Sequence, residues 1–333
     1  MKTTIYDVAK EAGVSIATVS KVVNGTGKIS EKTKKHVLEV MDRLHYQPSV
    51  VASALTGKKT HTIGLLVPDI ANPFFSEVAR ALEDSAEEKG FNVIMCSTDN
   101  NDEKGKKYIS LLLRKRVDGL IIATSFQDTT HIKKLVEKHI PVVLFSTDIP
   151  ALSVDMVSVD DYKAAFQAMD YLLSLGHKRI GLIAEQTTSS KYRIQGYKDA
   201  LEAAGVNVDE NLIHYTEAAT IQNGKQITKL LFEEKDRPTA IFACNDILAA
   251  GVMQGAKEEG IRIPTELSII GFDNTILADI CYPPLTTIAQ PIQEMAEQTT
   301  SLLIQQIEHK DKPKQRILLV PELMIRESTT KMS

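Results

Sequence analysis

The sequence predicts an α/β protein in which a small all-α headpiece precedes two doubly wound lobes built on parallel sheets. Three observations predict it. Residues 1–60 carry helical periodicity on either side of a glycine and no strand pattern. From His61 onward, short apolar runs of strand length alternate with amphipathic helical stretches. That alternation occurs twice, because HTIGLLVPD near residue 61 is echoed by HKRIGLIAE near residue 177. A length of 333 residues leaves room for a small module beside a larger body.

In the headpiece, TTIYDVAKEAGVSIATVSKVVNG has the pattern of two short helices around a tight turn. Ile5, Val8, Ala9 and Ala12 share one face, Gly13 supplies the positive φ of the turn, and Ser15 caps a second helix with Val19 and Val22 inward. Ala9 is small where the two helices approach most closely. The outward face of the second helix is short, polar or methyl-bearing, which suits entry into a major groove. A third helix is predicted from Glu31 to Leu44, capped by Ser30, with Val37, Leu38, Met41 and Leu44 inward. After Pro48 a short apolar helix runs to Gly57, too short to be stable alone. Charge divides at the same place. Residues 1–60 hold ten Lys/Arg against five Asp/Glu, a balance of +5, and the remainder holds 29 against 38, a balance of −9. A basic module on an acidic body suits a partner bearing phosphates.

In the body, TIGLLVPDI, FNVIMCS, VDGLIIAT and PVVLFS are predicted strands, separated by helices at Phe75 to Lys89, Asp102 to Lys115 and Thr130 to Lys138. A second series is predicted to begin with VSVD and to continue through RIGLIAE, LIHY, TAIFACN and LSIIGFD. Two such lobes bind a ligand in the cleft near the carboxyl ends of their strands. Cys96, Cys244 and Cys281 lie far apart, without a C-x-x-C pair or a histidine at metal-ligand spacing, so free thiols in a reducing compartment and no metal site are expected. The amino terminus leads directly into a helical pattern, and no apolar run approaches the ~20 residues of a membrane span. A soluble cytoplasmic protein is expected.

VAKEAGVS, ATVSKVVN and the VxASAL segment after Tyr46-Gln47-Pro48 resemble the LacI/GalR family of transcription regulators, along nearly the whole chain. Within it the chain is most similar to degradation-activator and catabolite-control members of Bacillus-like bacteria. The resemblance implies a helix-turn-helix headpiece at residues 1–47 and a hinge helix and linker at 48–60. It also implies an effector-binding and dimerisation core of periplasmic-binding-protein type at 61–330. The first lobe is placed at about 61–160 plus 291–319 and the second at about 161–290 plus 320–330. DNA contacts are implied for Thr4, Ser15, Ile16, Ala17, Thr18, Ser20, Lys21, Asn24 and Lys28, and for Ala52, Ser53 and a minor-groove wedge, Leu55, in the hinge. Lys21 stands where many members have Arg, and a lysine lacks the bidentate fork that reads guanine.

Effector contacts are implied for Asn72, Phe74, Phe75, Ser146, Arg193, Phe242, Asn245 and Asp273, with Arg193 in an R-x-x-G-[FY] motif. A cation and a carboxylate facing one cleft suit a polar, hydroxyl-rich or partly charged small molecule: a sugar, sugar acid or sugar phosphate. Ser146 departs from members that carry an acid there. The catabolite-control branch binds a phosphorylated carrier protein through basic residues, but PIQEMAEQTTSLLIQQIEHK offers Glu294 and Glu297 at that place, which would repel a phosphoserine. The expected partners are therefore an operator duplex, a small-molecule effector and a second copy of the chain, with no membrane and no cofactor. A dimer is favoured over a tetramer because no leucine heptads follow PELMIRES.

Two other functions fit a two-lobed α/β body. A sugar-related enzyme lacks support, since the chain has no G-x-G-x-x-G, H-E-x-x-H or G-x-S-x-G, and GTGKIS and TGKKT lack phosphate-loop spacing. A solute-binding protein uses the same lobes but needs no headpiece.

Overall fold

The computed structural model describes residues 3–23, 26–46, 59–233, 236–308 and 312–332. The chain divides into two compact units, Met1–Thr60 and His61–Ser333.

The first unit holds three helices, α1 (Ile5–Glu11), α2 (Ile16–Val23) and α3 (Glu31–Arg43). Each begins at a residue that satisfies its open backbone donors. Thr4 and Asp7 form a reciprocal capping box on α1, the Ser15 hydroxyl accepts from the Thr18 amide at 3.1 Å, and the Ser30 hydroxyl accepts from the Thr33 amide at 3.2 Å. Gly13 turns between α1 and α2 at φ 62. The core is made of small aliphatics: Val8, Ala9, Ala12, Val19, Val22, Val37 and Val40. Leu38 is a correction to the sequence reading, because it is exposed and Val40 takes the inward place. The α3 stripe of Val37, Val40, Met41 and Leu44 keeps helical spacing, whereas position 38 lies about 100° round the helix from 37.

The second unit contains two six-stranded sheets. One is formed by β1 (Thr62–Val67), β2 (Asn92–Ser97), β3 (Gly119–Ile122), β4 (Val142–Phe145), β5 (Asp155–Val159) and β11 (Arg316–Leu319), in the order β11-β5-β4-β3-β1-β2. The other is formed by β6 (Ile180–Glu185), β7 (Ile213–Thr216), β8 (Ala240–Ala243), β9 (Ser268–Asp273), β10 (Thr286–Ala289) and β12 (Glu322–Met324), in the order β12-β10-β9-β8-β6-β7. Through their first five strands the two orders are the same, so the echo between the runs at 61 and 177 is an echo of position, with β1 and β6 in matching places. VSVD does not open the second series: β5, which holds most of it, pairs with β4 and β11 in the first sheet. The other correction to an all-parallel plan is β12, which runs antiparallel to β10.

Helices α4 (Pro73–Glu87), α5 (Asp102–Arg114), α6 (Thr130–Glu137) and α12 (Ile292–Glu308) belong to the first lobe, and α7 (Asp161–Ser174), α8 (Thr188–Ala203), α9 (Ile221–Glu233), α10 (Asp246–Glu258) and α11 (Ile276–Ile280) to the second. The central strands of each sheet are buried on both faces. Leu65, Ile121 and Val143 pack into one core while their neighbours Leu66, Ile122 and Leu144 pack into another. Leu182, Phe242 and Ile270 alternate in the same way with Ile183, Ile241 and Ile269. Burial on both faces explains why these strands read as continuous apolar runs rather than alternating ones. The chain passes between lobes after β5, after β10 and between β11 and β12.

Candidate functional site

In the first unit, α2 buries Val19 and Val22 and turns its other face to solvent. Ser15, Ile16, Ala17 and Lys21 are exposed, Thr18 and Ser20 are half-buried, and Thr4 and Lys28 are exposed nearby in sequence. The Ser15 hydroxyl also lies 2.9 Å from that of Thr18, so the cap fixes the first turn of the helix. The Thr4 amide and hydroxyl both donate to Asp7, at 2.8 and 2.7 Å, and the hydroxyl bond above all holds that carboxyl below its usual range. Arg43 pairs with Glu11 at 2.9 Å, tying α3 to α1. Lys21 lays its stem against Gly27, where an added Cβ would stand 3.2 Å from the lysine Cδ. Asn24, Ala52, Ser53 and Leu55 lie outside the described residues.

In the second unit, Asn72, Phe74, Phe75, Ser146, Arg193, Asn245 and Asp273 line one cavity of about 170 Å3, in the cleft between the lobes. Phe242 does not. It is fully buried within β8, packed in the core and paired in register with Leu182 and Ile270, because a strand covered on both faces offers no position to a ligand. Phe74 is itself 96 % buried, edge-on to Phe75 with ring centroids 5.0 Å apart, so only its rim reaches the cavity. Asn72 and Asn245 are both helix caps. Asn72 Oδ1 accepts from the Phe74 amide at 3.0 Å, and Asn245 Oδ1 accepts from the Leu248 amide at 2.9 Å. Ser146 sits at φ 50 immediately after β4.

The charged residues form a connected set. Arg193 Nε donates to Asp161 Oδ1 at 2.7 Å, Nη1 donates to the Cys244 carbonyl, and the guanidinium lies 3.4 Å over the ring of Phe272. Burial works against its charge, but the carboxylates of Asp161 and Asp273 more than offset that. Asp273, at φ 112, accepts from Gln290 Nε2 at 2.7 Å. Burial raises its carboxyl well above the ordinary value, against the pull of Arg193 and with the help of Asp246. The R-x-x-G-Y motif has a physical reading here. Gly196 lets α8 approach the backbone of Tyr162 on α7, where a Cβ would collide, and the buried Tyr197 hydroxyl donates to the Ile180 carbonyl at 2.7 Å.

Among the lining residues that sequence reasoning missed are Glu185 and Gln290. Glu185 ends β6 and Gln290 directly follows β10, so the rule that ligands bind at the carboxyl ends of strands would have found them. Glu185 Oε2 accepts from Asn245 Nδ2 at 3.1 Å, and burial raises its carboxyl above the usual value. Gln290 is 93 % buried and its Oε1 has no hydrogen-bond partner. A buried acceptor without a donor is costly, so a hydroxyl brought into the cleft would be held there. Among the described residues, no cluster of His, Cys, Asp or Glu is placed to hold a metal ion, and no helix is long and apolar enough to cross a membrane.

Two family models match the chain: bacterial regulatory proteins of the lacI family over residues 4–49, and a periplasmic binding protein-like domain over residues 169–329. The HTH-type transcriptional regulator DegA of Bacillus subtilis (strain 168) is 47 % identical over 338 residues, covering all of both chains. The chain belongs to the lacI family. Catabolite control protein A of Priestia megaterium is 37 % identical, over 99 % of this chain and all of its own length. Among solved structures, the lac repressor dimer bound to operator and the anti-inducer ONPF superposes with a TM-score of 0.89 at 28 % identity, covering 99 % of this chain and all of the repressor. A LacI family regulator from Enterococcus faecium with bound ribose gives 0.75 at 36 % identity, over 82 % of this chain and all of its own. Membership of the lacI family makes the chain a transcriptional regulator rather than an enzyme. Its first unit is the helix-turn-helix module and its second the effector-binding body of that family.

Proposed function

We propose that this lacI-family regulator acts in the cytoplasm as a homodimer on a pseudo-palindromic operator and is controlled by a hydroxyl-rich small molecule bound between its two lobes. The observation that carries this reading is the union in one chain of an exposed polar helix, α2, with a separate cleft lined by Arg193, Asp273 and the unpartnered Gln290 Oε1. Ser15 to Lys21 enter the major groove, and Leu55 wedges the central step from the minor groove. The ribose named for one structural relative favours a sugar-class ligand. An apolar face of Ile276, Ile280 and Tyr282 beside α11, exposed by 56, 66 and 94 %, receives the second copy together with Ile94 and Met95 of the sheet edge. The ligand acts by its differential affinity for two arrangements of that dimer. Facing α12, the α4 residues Glu77 and Asp84 and the helix's C-cap, Glu88, join Glu297 around Arg80, an acidic wall that disfavours a phosphoprotein partner there.

The test is selection of operator DNA from a random library by the full-length protein, followed by gel shift with sugars added. Asp273→Asn is expected to keep operator affinity and lose the ligand response; a retained response would move the pocket elsewhere. Leu55→Ala is expected to weaken binding and reduce bending of a circularly permuted site, and undiminished bending would remove the wedge assignment.

A further inference from the structure

A second and larger cavity, about 400 Å3, adjoins the effector cleft, and Ser146 and Ser189 stand in the walls of both. The buried Arg193–Asp161 pair lies between them, with Arg193 facing the cleft and Asp161 facing the second cavity. We propose that this second cavity is the far half of the effector site and that it takes the second ring of a disaccharide. The inference rests on the small-molecule reading of the cleft and specifies its ligand.

Size is the first argument. The cleft alone, at about 170 Å3, is smaller than the ~300–1,000 Å3 typical of ligand pockets, and with its neighbour the site enters that range. The chemistry of the walls is the second. The second cavity is lined by Met156 and Leu318 and by two tyrosines, Tyr162 and Tyr192, that remain 38 and 47 % exposed. An apolar floor with accessible aromatic rings suits the C–H face of a sugar ring. Among its polar residues, Asp148 has a side chain only 8 % exposed. One Asp148 oxygen takes Arg316 at 2.5 Å, and the other has no hydrogen-bond partner. Each cavity therefore carries one buried acceptor awaiting a donor, Gln290 Oε1 in the first and Asp148 Oδ1 in the second, as a ligand with hydroxyls at both ends requires. Charge is the third argument. Arg316 answers Asp148 and Arg193 answers Asp161, leaving Asp160, the cap of α7, as a net negative charge that disfavours a phosphate or acid on the second ring.

The experiment is calorimetric titration of the full-length protein with matched pairs: glucose against cellobiose and maltose, and galactose against lactose and melibiose. In at least one pair the disaccharide is expected to bind tenfold or more tightly than its single ring. Tyr192→Ala, which removes the platform, and Leu318→Trp, which fills the cavity from its exposed edge, are each expected to erase that gain. Binding of single rings with no gain from a second, or a gain that survives both substitutions, overturns the proposal alone. Absence of binding by every member overturns the sugar reading of the cleft and the proposal with it.

Discussion

The two lobes share a strand order through five strands yet bring different chemistries to the cleft between them. The first lobe contributes the neutral Asn72, Phe74, Phe75 and Ser146 and one exposed carboxylate, Asp69; the second contributes Glu185, Arg193, Asn245 and Asp273. The contrast continues underneath. Behind the first lobe's strand ends the hydroxyls of Thr98 and Thr124 meet at 3.1 Å. Behind the second lies Asp246, which accepts from the Thr275 amide at 2.7 Å, the Thr275 hydroxyl at 3.0 Å and the Thr287 hydroxyl at 2.6 Å. Duplicated architecture fixes where a ligand can sit. It does not fix which wall recognises it, and here the buried charges of the cleft stand in the second lobe, while the first offers neutral side chains and one exposed acid, Asp69.

The contrast can be broken most forcefully at Arg193. Replacing it with Met leaves Asp161 and Asp273 buried without their cation, a loss expected at about 3–5 kcal/mol in urea unfolding. A change no larger than that of a surface substitution would mean that the second lobe does not depend on its charges.

A smaller effect should appear as a pH dependence specific to the second lobe. Burial raises the Asp246 carboxyl to about 6 from 3.8, and its neighbour Asp273 is raised as well. The folded protein thus holds a proton that the unfolded chain releases. The stability contributed by that proton is complete below pH 3.8 and is lost as pH climbs through about 6. Asp246→Asn should therefore lose less stability than the wild type between pH 5 and 7, as judged by urea midpoints. Parallel profiles for the two proteins would place the titration elsewhere.

The smallest contrast is between the two asparagine caps. Asn72→Ala removes one cap bond, at a cost of about 1 kcal/mol. Asn245→Ala removes the same kind of bond and also strips Glu185 of a donor, so it should cost more. Equal losses would show that the Glu185 contact contributes nothing.

How much of this was legible in the sequence follows from what each residue's neighbours are. Local signals carried well: Gly13, Ser15 and Ser30 act on their own backbone, and the alternation of strands and helices needs only a window of residues. Asp7 was equally legible, as the fourth residue of a Thr-x-x-Asp box, and was overlooked. Decisions made by distant partners did not carry. VSVD joins the first sheet because β11, more than 150 residues later, pairs beside it. Phe242 fell in the core because nothing local tells a doubly covered strand from a ligand-facing one. Arg193 was identified, but its ion pair with Asp161 and its place over Phe272 depend on how α7, α8 and β9 assemble.

The three passages of the chain between lobes also set an order of synthesis. The headpiece is complete once about sixty residues have been made and can fold while the rest is still on the ribosome. The first lobe cannot close its sheet at that stage of its own synthesis. Its edge strand β11 lies at Arg316–Leu319, and α12, which packs on α4, is made only after nearly all of the second lobe. During translation, then, the module that reads DNA exists before the one that governs it, and the regulator becomes controllable only in its last few dozen residues.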